Sequence, residues 1–282
     1  MDSPAERRKA IFFVVIAATL WSTGGLMIKA IDWDPMAILA GRNIFSSAVL
    51  LLFLRRFPGG WTRWTIVAAL SHTLTAFLFI TSTKLTTAAN AIFLQYTAPI
   101  YIVLLGFWLL RERPSRTDWA SMAVIFAGML LFFGGKLSLS GLLGNALAAL
   151  SGLTMAVMTV ALRAQKRGTP LESILVAQLA TAVLGLPMVL RQEWTISNGL
   201  IIAYLGIFQI GLAFILFSSA IKHIPAIEAT LISTLEPILN PLWVFLFIGE
   251  TPGVFALIGG LIVLGGVAVN AIGSARGSAE PA

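Results

Sequence analysis

One carboxylate of this chain stands in the middle of an apolar segment. Glu236 lies near the centre of the run 225–247, with Ser233 three residues before it and Asn240 four residues after it. On a helix these side chains share one face, and Pro237 removes a backbone donor, which leaves a carbonyl near Ser233 free for water or ligand. A carboxylate at that depth is paired, protonated or in contact with water. The pattern predicts a cavity-lining residue that could carry a proton, or else a carboxylate bonded across a helix interface.

Two basic side chains also lie within apolar segments. Arg42 is followed by Asn43 and Ser46, and its planar guanidinium would suit a substrate carboxylate. Alternatively, Arg42 snorkels or pairs with an acidic loop residue. His72 lies mid-segment among hydroxyl side chains. A neutral histidine there can bond a substrate or shuttle a proton, although a neighbour in a helix bundle can equally satisfy it.

A tryptophan is placed unusually deep. Most tryptophans of membrane proteins lie in interfacial belts, whereas Trp21 stands about 11 residues inside the first apolar segment, next to Ser22 and Thr23. We expect it to form a cavity wall for an apolar or aromatic group. Further polar, aromatic or sulfur-containing side chains inside apolar segments complete the candidate binding set: Phe79, Gln95, Tyr96, Thr154, Met158, Gln178 and Gln209. The polar ones could instead join helices to one another.

Apolar segments of about 20 residues must position these side chains, and each is long enough to cross a membrane as a helix. Ten such segments are predicted, at 10–30, 35–54, 64–83, 88–110, 117–134, 141–162, 170–190, 199–221, 225–247 and 253–272.

The composition agrees with a membrane protein. Only 11% of the 282 residues are charged, against about 25% in soluble domains, and 58% are apolar. Such a chain cannot cover a water-facing exterior, so lipid must be its main solvent. The net charge of +7 does not indicate nucleic acid, because Lys and Arg occur in short clusters between apolar runs. With no cysteine and two histidines, the sequence predicts neither a metal site nor a cofactor.

The distribution of Lys and Arg predicts the orientation. When the connections are assigned alternately to two sides, fourteen of the 19 Lys and Arg residues fall on the side of the N-terminus and four on the other. Positive residues concentrate on the cytoplasmic side. Both termini are therefore expected in the cytoplasm, with the chain in the cell or inner membrane.

The two halves of the chain resemble each other. When the sequence is shifted by 138 positions, Lys84 meets Lys222, Pro99 meets Pro237 and Glu112 meets Glu250. This predicts one five-helix repeat over 1–136 and a second over 137–282, with helix breaks at Pro99 and Pro237. An odd number of spans inverts the second repeat, and inverted repeats place a binding site between them.

The same residues carry a resemblance to a known family. A proline in the fourth span of each half, a Glu-x-Pro just after it, the Trp-Ser-Thr-Gly of 21–24 and Arg42 resemble the drug/metabolite transporter superfamily and, more narrowly, its EamA branch. Within that branch the chain looks most like YddG-type exporters of amino acids. The resemblance implies an all-α membrane protein with ten transmembrane helices in two inverted five-helix repeats.

Three kinds of function are considered on this basis. The resemblance implies a secondary transporter that exports small metabolites, with neutral or aromatic amino acids favoured over drugs, quaternary cations, nucleosides or sugars. An intramembrane enzyme is disfavoured, because the sequence has no HExxH motif, nucleophile signature or P-loop. A receptor or scaffold is also disfavoured, because it would need an extramembrane surface for sensing or binding, and the sequence predicts none. We expect no catalytic residues, a small-molecule substrate, lipid as the surrounding partner, and a monomer or homodimer.

Overall fold

A computed structural model describes residues 4–57, 59, 61–109, 114, 116–131, 139–165, 169–224 and 226–277 of the chain. These residues form helices and, within the described ranges, no strand. Several residues used in the repeat and orientation predictions lie outside the described residues: Arg111, Glu112, Arg113, Lys136, Lys166 and Arg167.

We number the helices α1 to α10 in chain order and count segments separated by one or two residues as one helix. They are α1 (Pro4–Ser22 and Gly24–Ala30), α2 (Pro35–Leu54), α3 (Arg63–Leu85), α4 (Ala88–Gln95 and Ala98–Leu109), α5 (Arg116–Leu131), α6 (Leu139–Ala164), α7 (Pro170–Leu190), α8 (Ile196–Tyr204, the π-helical Leu205–Leu212, and Ala213–Ala220), α9 (Ala226–Ser233 and Leu235–Ile248) and α10 (Val254–Gly277).

Nine of these helices are long and apolar enough to cross a membrane within the described residues. The predicted span 117–134 corresponds to α5, whose described part, Arg116–Leu131, has 16 residues. Residues 132–134 lie outside the described ranges. The multi-pass character of the chain is therefore confirmed, and the count of ten spans stays a prediction.

Three helices are interrupted near their middle. In α1 the break falls at Thr23, in α4 at Tyr96 and Thr97, and in α9 at Thr234. At each break a threonine hydroxyl donates to the carbonyl three residues earlier, for example from Thr97 to Leu94 at 2.6 Å. These bonds occupy carbonyls that the next helical turn would otherwise use. The α1 break was not predicted.

The helices pack in pairs that relate the two halves. Helix α3 lies against α6, α1 against α8, α2 against α7, and α5 against α10. Helix α4 also contacts α6, as α9 contacts α1. The helices of the two halves correspond in chain order, α1 to α6 through α5 to α10. When every helix is replaced by its counterpart, each pair becomes a pair of the same set; for example, α3 with α6 becomes α8 with α1. The two halves differ at one point. Helix α1 is broken next to Trp21, whereas its counterpart α6 is continuous through Ser151, which stands at about the equivalent position.

Glycines let two of these pairs approach closely. A Cβ added to Gly128 of α5 would lie 2.9 Å from the Gly259 carbonyl oxygen of α10, and one added to Gly152 of α6 would lie 2.9 Å from the Gln95 carbonyl oxygen. Because any larger residue would push the helices apart, these glycines fix α10 on α5 and α6 on the break of α4. We call the end of the bundle that holds Ala30, Ala88 and Ile248 the outer end, since the Lys and Arg distribution predicts that it faces outside.

Candidate functional site

The breaks of α4 and α9 face each other through Tyr96. Its hydroxyl lies 3.1 Å from the Ser233 carbonyl oxygen and 3.0 Å from Glu236 Oε2. Pro99 and Pro237 stand in the first turn after their respective breaks, where a helix leaves its backbone N–H groups unbonded and proline costs least. Glu236 is thus placed at the junction of the two interrupted helices, and its described partner is a tyrosine rather than Arg42.

The break of α1 is held by side chains from α8 and α9. Trp243 Nε1 donates to Ser22 Oγ at 2.9 Å, and Gln209 Nε2 donates to the Trp21 carbonyl oxygen at 3.4 Å. The Tyr204 and Thr23 hydroxyl oxygens are 3.1 Å apart. Residues 21–23 of α1, in the first half, are therefore hydrogen-bonded to two helices of the second half, α8 and α9.

The π-helical segment of α8 explains how one helix supplies two of these contacts. Tyr204 and Gln209 are five residues apart. In an α-helix they would point about 140° apart, whereas a π-helix closes i to i+5 and stacks them on one face. The segment Leu205–Leu212 therefore turns both side chains toward the α1 break. Gly206 lies within it, where a Cβ would lie 2.5 Å from Phe45 Cβ of α2.

Several polar atoms around the α1 break have no partner in the described structure. Asn240 is 1% exposed, and neither Oδ1 nor Nδ2 is hydrogen-bonded; Oε1 of Gln209, which is 6% exposed, is also without a bond. The Asn240 amide rests on Gly25, where a Cβ would lie 3.0 Å from Asn240 Cγ, and Gln209 rests on Gly24. The glycine pair thus brings both amides onto the α1 backbone.

A second polar group joins α2 and α7. Ser46 Oγ donates to Gln178 Oε1 at 2.8 Å, while Gln178 Nε2 and Arg42 Nε are buried without a partner. Arg42 is 5% exposed, and within the described residues no hydrogen bond or ion pair joins its side chain to another residue. The predicted alternative of an ion pair with an acidic loop residue is therefore absent from the described part of the chain.

Aromatic rings connect this group to the α1 break. The Trp21 ring lies 5.5 Å from Phe214 and 5.2 Å from Phe217 between ring centroids. The His72 ring meets Phe214 of α8 edge-on at 6.1 Å. Arg42 adjoins the same helix, because a Cβ added to Gly206 would lie 2.4 Å from the Arg42 carbonyl oxygen. Trp21, His72 and Arg42, which come from three different helices, are thus brought into one neighbourhood.

The other predicted residues occupy more varied places. Thr154 is buried and accepts a hydrogen bond from Thr75 at 2.8 Å, so it joins α6 to α3. Gln95, Phe79 and Met158 are partly buried. Phe79 packs against two buried apolar clusters. One includes residues of α2 and α8, and the other includes residues of α4 and α10. These four residues have no described bond to Glu236 or Arg42.

An apolar crevice of about 590 Å³ lies beside the outer segment of α1. It touches the site at Thr23 and Trp243 alone, and its exposed wall, including Phe247 and Ile248, lies on the perimeter of the bundle. Because it holds neither Glu236 nor Arg42, we place the functional site at the helix breaks rather than in this crevice.

Sequence reasoning missed four of the residues that hold the site: Tyr204, Trp243, Phe214 and Phe217. The sequence did offer one signal for the α1 break, since Gly24 and Gly25 follow two hydroxyl residues inside a long apolar run. Within the described residues, no group of three His, Asp or Glu side chains could hold a metal ion.

Comparison with known proteins identifies the family. The EamA-like transporter family matches twice, over residues 8–134 and 142–272. An uncharacterized transporter of Archaeoglobus fulgidus is 26% identical over 262 residues, which is 91% of this chain and 94% of that protein. The uncharacterized transporter YwfM of Bacillus subtilis is 26% identical and covers 96% of both chains.

A solved crystal structure of a protein has a similar fold. Its TM-score is 0.67 at 24% identity, and the match covers 95% of this chain and 98% of that one. The two matches of the family confirm the expected resemblance to the EamA branch. Because the family matches both halves of the sequence, this chain belongs to the EamA-like transporter family and is a multi-pass membrane protein.

Proposed function

We propose that this chain is a secondary transporter that exports small organic metabolites, with neutral and aromatic amino acids as the favoured class. The observation that carries the proposal is the set of buried, unpartnered polar atoms of Asn240, Gln209 and Arg42. A buried polar atom without a partner costs about 1–3 kcal/mol. Such atoms persist in a fold where water or a ligand supplies the missing bond.

The chemistry of the site suits a zwitterion. The Arg42 guanidinium offers donors for a carboxylate, and Glu236 offers an acceptor for an ammonium group. Trp21, Phe214 and Phe217 offer an apolar wall for a side chain. This arrangement supports the narrower resemblance to YddG-type amino-acid exporters, and the proposal includes that resemblance.

Transport is proposed to occur by alternating access between repeats 1–136 and 137–282. Two family matches and a set of helix pairs that survives exchange of the halves support the repeats. Five spans in each half would invert one repeat relative to the other, so exchanging their conformations would exchange the open side. The Lys and Arg distribution supports cytoplasmic termini in the inner membrane.

Counterflow in proteoliposomes tests the substrate class. Vesicles are loaded with one unlabelled amino acid of a panel at a time, and uptake of the same amino acid in labelled form is measured with and without a pH gradient. Neutral and aromatic amino acids should exchange. Arg42→Gln should reduce exchange of carboxylate-bearing substrates about ten-fold or more, because a charge-assisted bond is lost. Arg191→Gln, at an exposed arginine, should leave exchange unchanged. Absence of exchange across the whole panel would refute the amino-acid assignment.

A quaternary ammonium compound is the second candidate substrate. Trp21 and the two rings packed against it, Phe214 and Phe217, form a cluster of three aromatic side chains, and aromatic faces bind quaternary ammonium groups. If such a compound is the substrate, it should exchange in the same vesicles independently of Arg42, and Trp21→Ala should abolish its exchange.

A further inference from the structure

Glu250 bonds to two other helices at the outer end. Its Oε2 lies 2.5 Å from Lys29 Nζ, and its Oε1 accepts the backbone N–H of Ala88 at 2.7 Å. Lys29 Nζ also donates to the Thr86 carbonyl oxygen at 3.0 Å. We call Lys29, Thr86, Ala88 and Glu250 the outer clamp.

The local fold explains why Glu250 reaches both partners. Helix α9 ends at Ile248 and is capped by Gly249, which has φ 79°, a left-handed conformation that glycine adopts without steric cost. The chain therefore turns sharply and directs Glu250 across the end of the bundle. Ala88 is the first residue of α4, where an unbonded N–H and the positive end of the helix dipole both favour a carboxylate.

The outer clamp joins the outer segments of the three interrupted helices. Lys29 lies in the last turn of the segment Gly24–Ala30 of α1, Ala88 begins Ala88–Gln95 of α4, and Glu250 comes two residues after Leu235–Ile248 of α9. Each segment is separated from its inner continuation by a break, and the breaks surround Glu236 and Trp21. The clamp thus holds together the parts of the bundle that the breaks leave free to tilt.

We infer that Glu250 is the residue that closes the outer gate: its bonds to Lys29 and to the Ala88 N–H hold the site shut from outside and must open in each transport cycle. The inference rests on the proposed transport function. A partly exposed ion pair alone contributes little, but this carboxylate ties three movable segments at one point. Removing its charge should therefore shift the population toward the state open to the outside.

Cysteine accessibility tests this without knowledge of the substrate. The chain contains no cysteine, so Gln95→Cys, at the α4 break, introduces a single reporter, and Met158→Cys gives a second one on α6. The rate of labelling by an impermeant maleimide is measured from outside in intact cells and from inside in inverted vesicles. Correct folding is checked by gel filtration and circular dichroism.

Glu250→Gln and Lys29→Met should each raise labelling from outside about five- to ten-fold, as expected for a partly exposed charge-assisted bond. The double variant should show little further increase in labelling, because each substitution alone already breaks the ion pair between Glu250 and Lys29. The control is Arg56→Gln, which breaks the 2.5 Å pair with Glu172 at the opposite end, and it should not raise labelling from outside.

Unchanged labelling in a folded Glu250→Gln variant at both reporters would overturn the inference. An increase seen only in inverted vesicles, where the impermeant maleimide reaches the predicted cytoplasmic face, would support the clamp and overturn the predicted orientation. If the wild-type protein exchanges no amino acid while labelling rises in Glu250→Gln, the proposed substrate is wrong and the gate stands.

Discussion

Glu236 is bonded by one side chain in the described structure, the hydroxyl of Tyr96. Glu236→Gln preserves the shape of the side chain and its ability to accept that bond, so the fold should be retained. Transport should nevertheless change. If Glu236 carries a proton, the variant should lose accumulation driven by a pH gradient and keep exchange. If Glu236 holds a substrate ammonium, exchange should also fall, by about ten-fold or more.

Both rates are measured in proteoliposomes, with Glu193→Gln as the control at an exposed carboxylate. Wild-type accumulation and exchange in folded Glu236→Gln protein would show that the residue is structural, as the alternative sequence interpretation holds.

The unpartnered amide of Asn240 gives a second residue-scale prediction. Replacing a buried, unbonded polar side chain by an apolar one of similar size is neutral or stabilising. Asn240→Leu should therefore leave the midpoint of thermal unfolding unchanged or raise it by a few degrees, while transport is lost. Asn145 is equally buried but accepts bonds from Thr86 and Asn90.

The matched variant Asn145→Leu should accordingly destabilise the protein by about 1–3 kcal/mol. Thermal unfolding in detergent and exchange in vesicles measure the two effects. Destabilisation of Asn240→Leu with normal transport would mean that Asn240 belongs to the packing and not to the site.

Part of the site could be predicted from individual residues. Glu236, Arg42 and Trp21 stand out because a charge or a deep tryptophan is costly or unusual in lipid. Tyr204 could not be found in that way. It is five residues from Gln209, a spacing that shares no face of an α-helix, so only the π-helical segment makes them neighbours.

At the scale of elements, adjacent glycines on α10 provide a matched pair. A Cβ at Gly266 would lie 2.5 Å from Ile125 Cγ1 and 3.3 Å from the Ser121 carbonyl oxygen of α5, whereas one at Gly265 would meet nothing within 4 Å. Gly266→Ala should push α10 from α5 and destabilise the protein by about 1–3 kcal/mol. Gly265→Ala should be neutral or slightly stabilising.

Thermal unfolding of the two variants in the same detergent checks this. Equal unfolding midpoints would show that α5 and α10 are not held by close backbone contact at this point.

The extent of the helices was largely predictable, and their internal irregularities were not. The predicted segments 35–54 and 170–190 coincide with Pro35–Leu54 and Pro170–Leu190, because the length of an apolar run is set by the membrane. The α1 break has one trace in the sequence, the pair Gly24 and Gly25, whereas the π segment has none that could be read. A helix that is apolar on all sides has no periodicity from which a change of register could be read.

At the scale of the whole molecule, orientation is open to direct test. Cysteines introduced near Asp34 or Glu193, which lie at the outer end, should react with an impermeant maleimide from outside. A cysteine near Arg113, on the predicted cytoplasmic side, should not react. Reversed labelling would contradict the Lys and Arg argument and the predicted orientation.

The α1 break has a consequence for biosynthesis. Its partners Tyr204 and Trp243 lie 181 and 221 residues further along the chain from Thr23 and Ser22. At roughly 5–20 residues per second, the ribosome needs about 10–45 s to make the last of them. During that time α1 must remain in the membrane with its broken turn unsupported. Helix α1 thus enters the bilayer before α8 and α9 and is completed only when they arrive, and nascent chains stalled before residue 243 should present it to chaperones and membrane proteases.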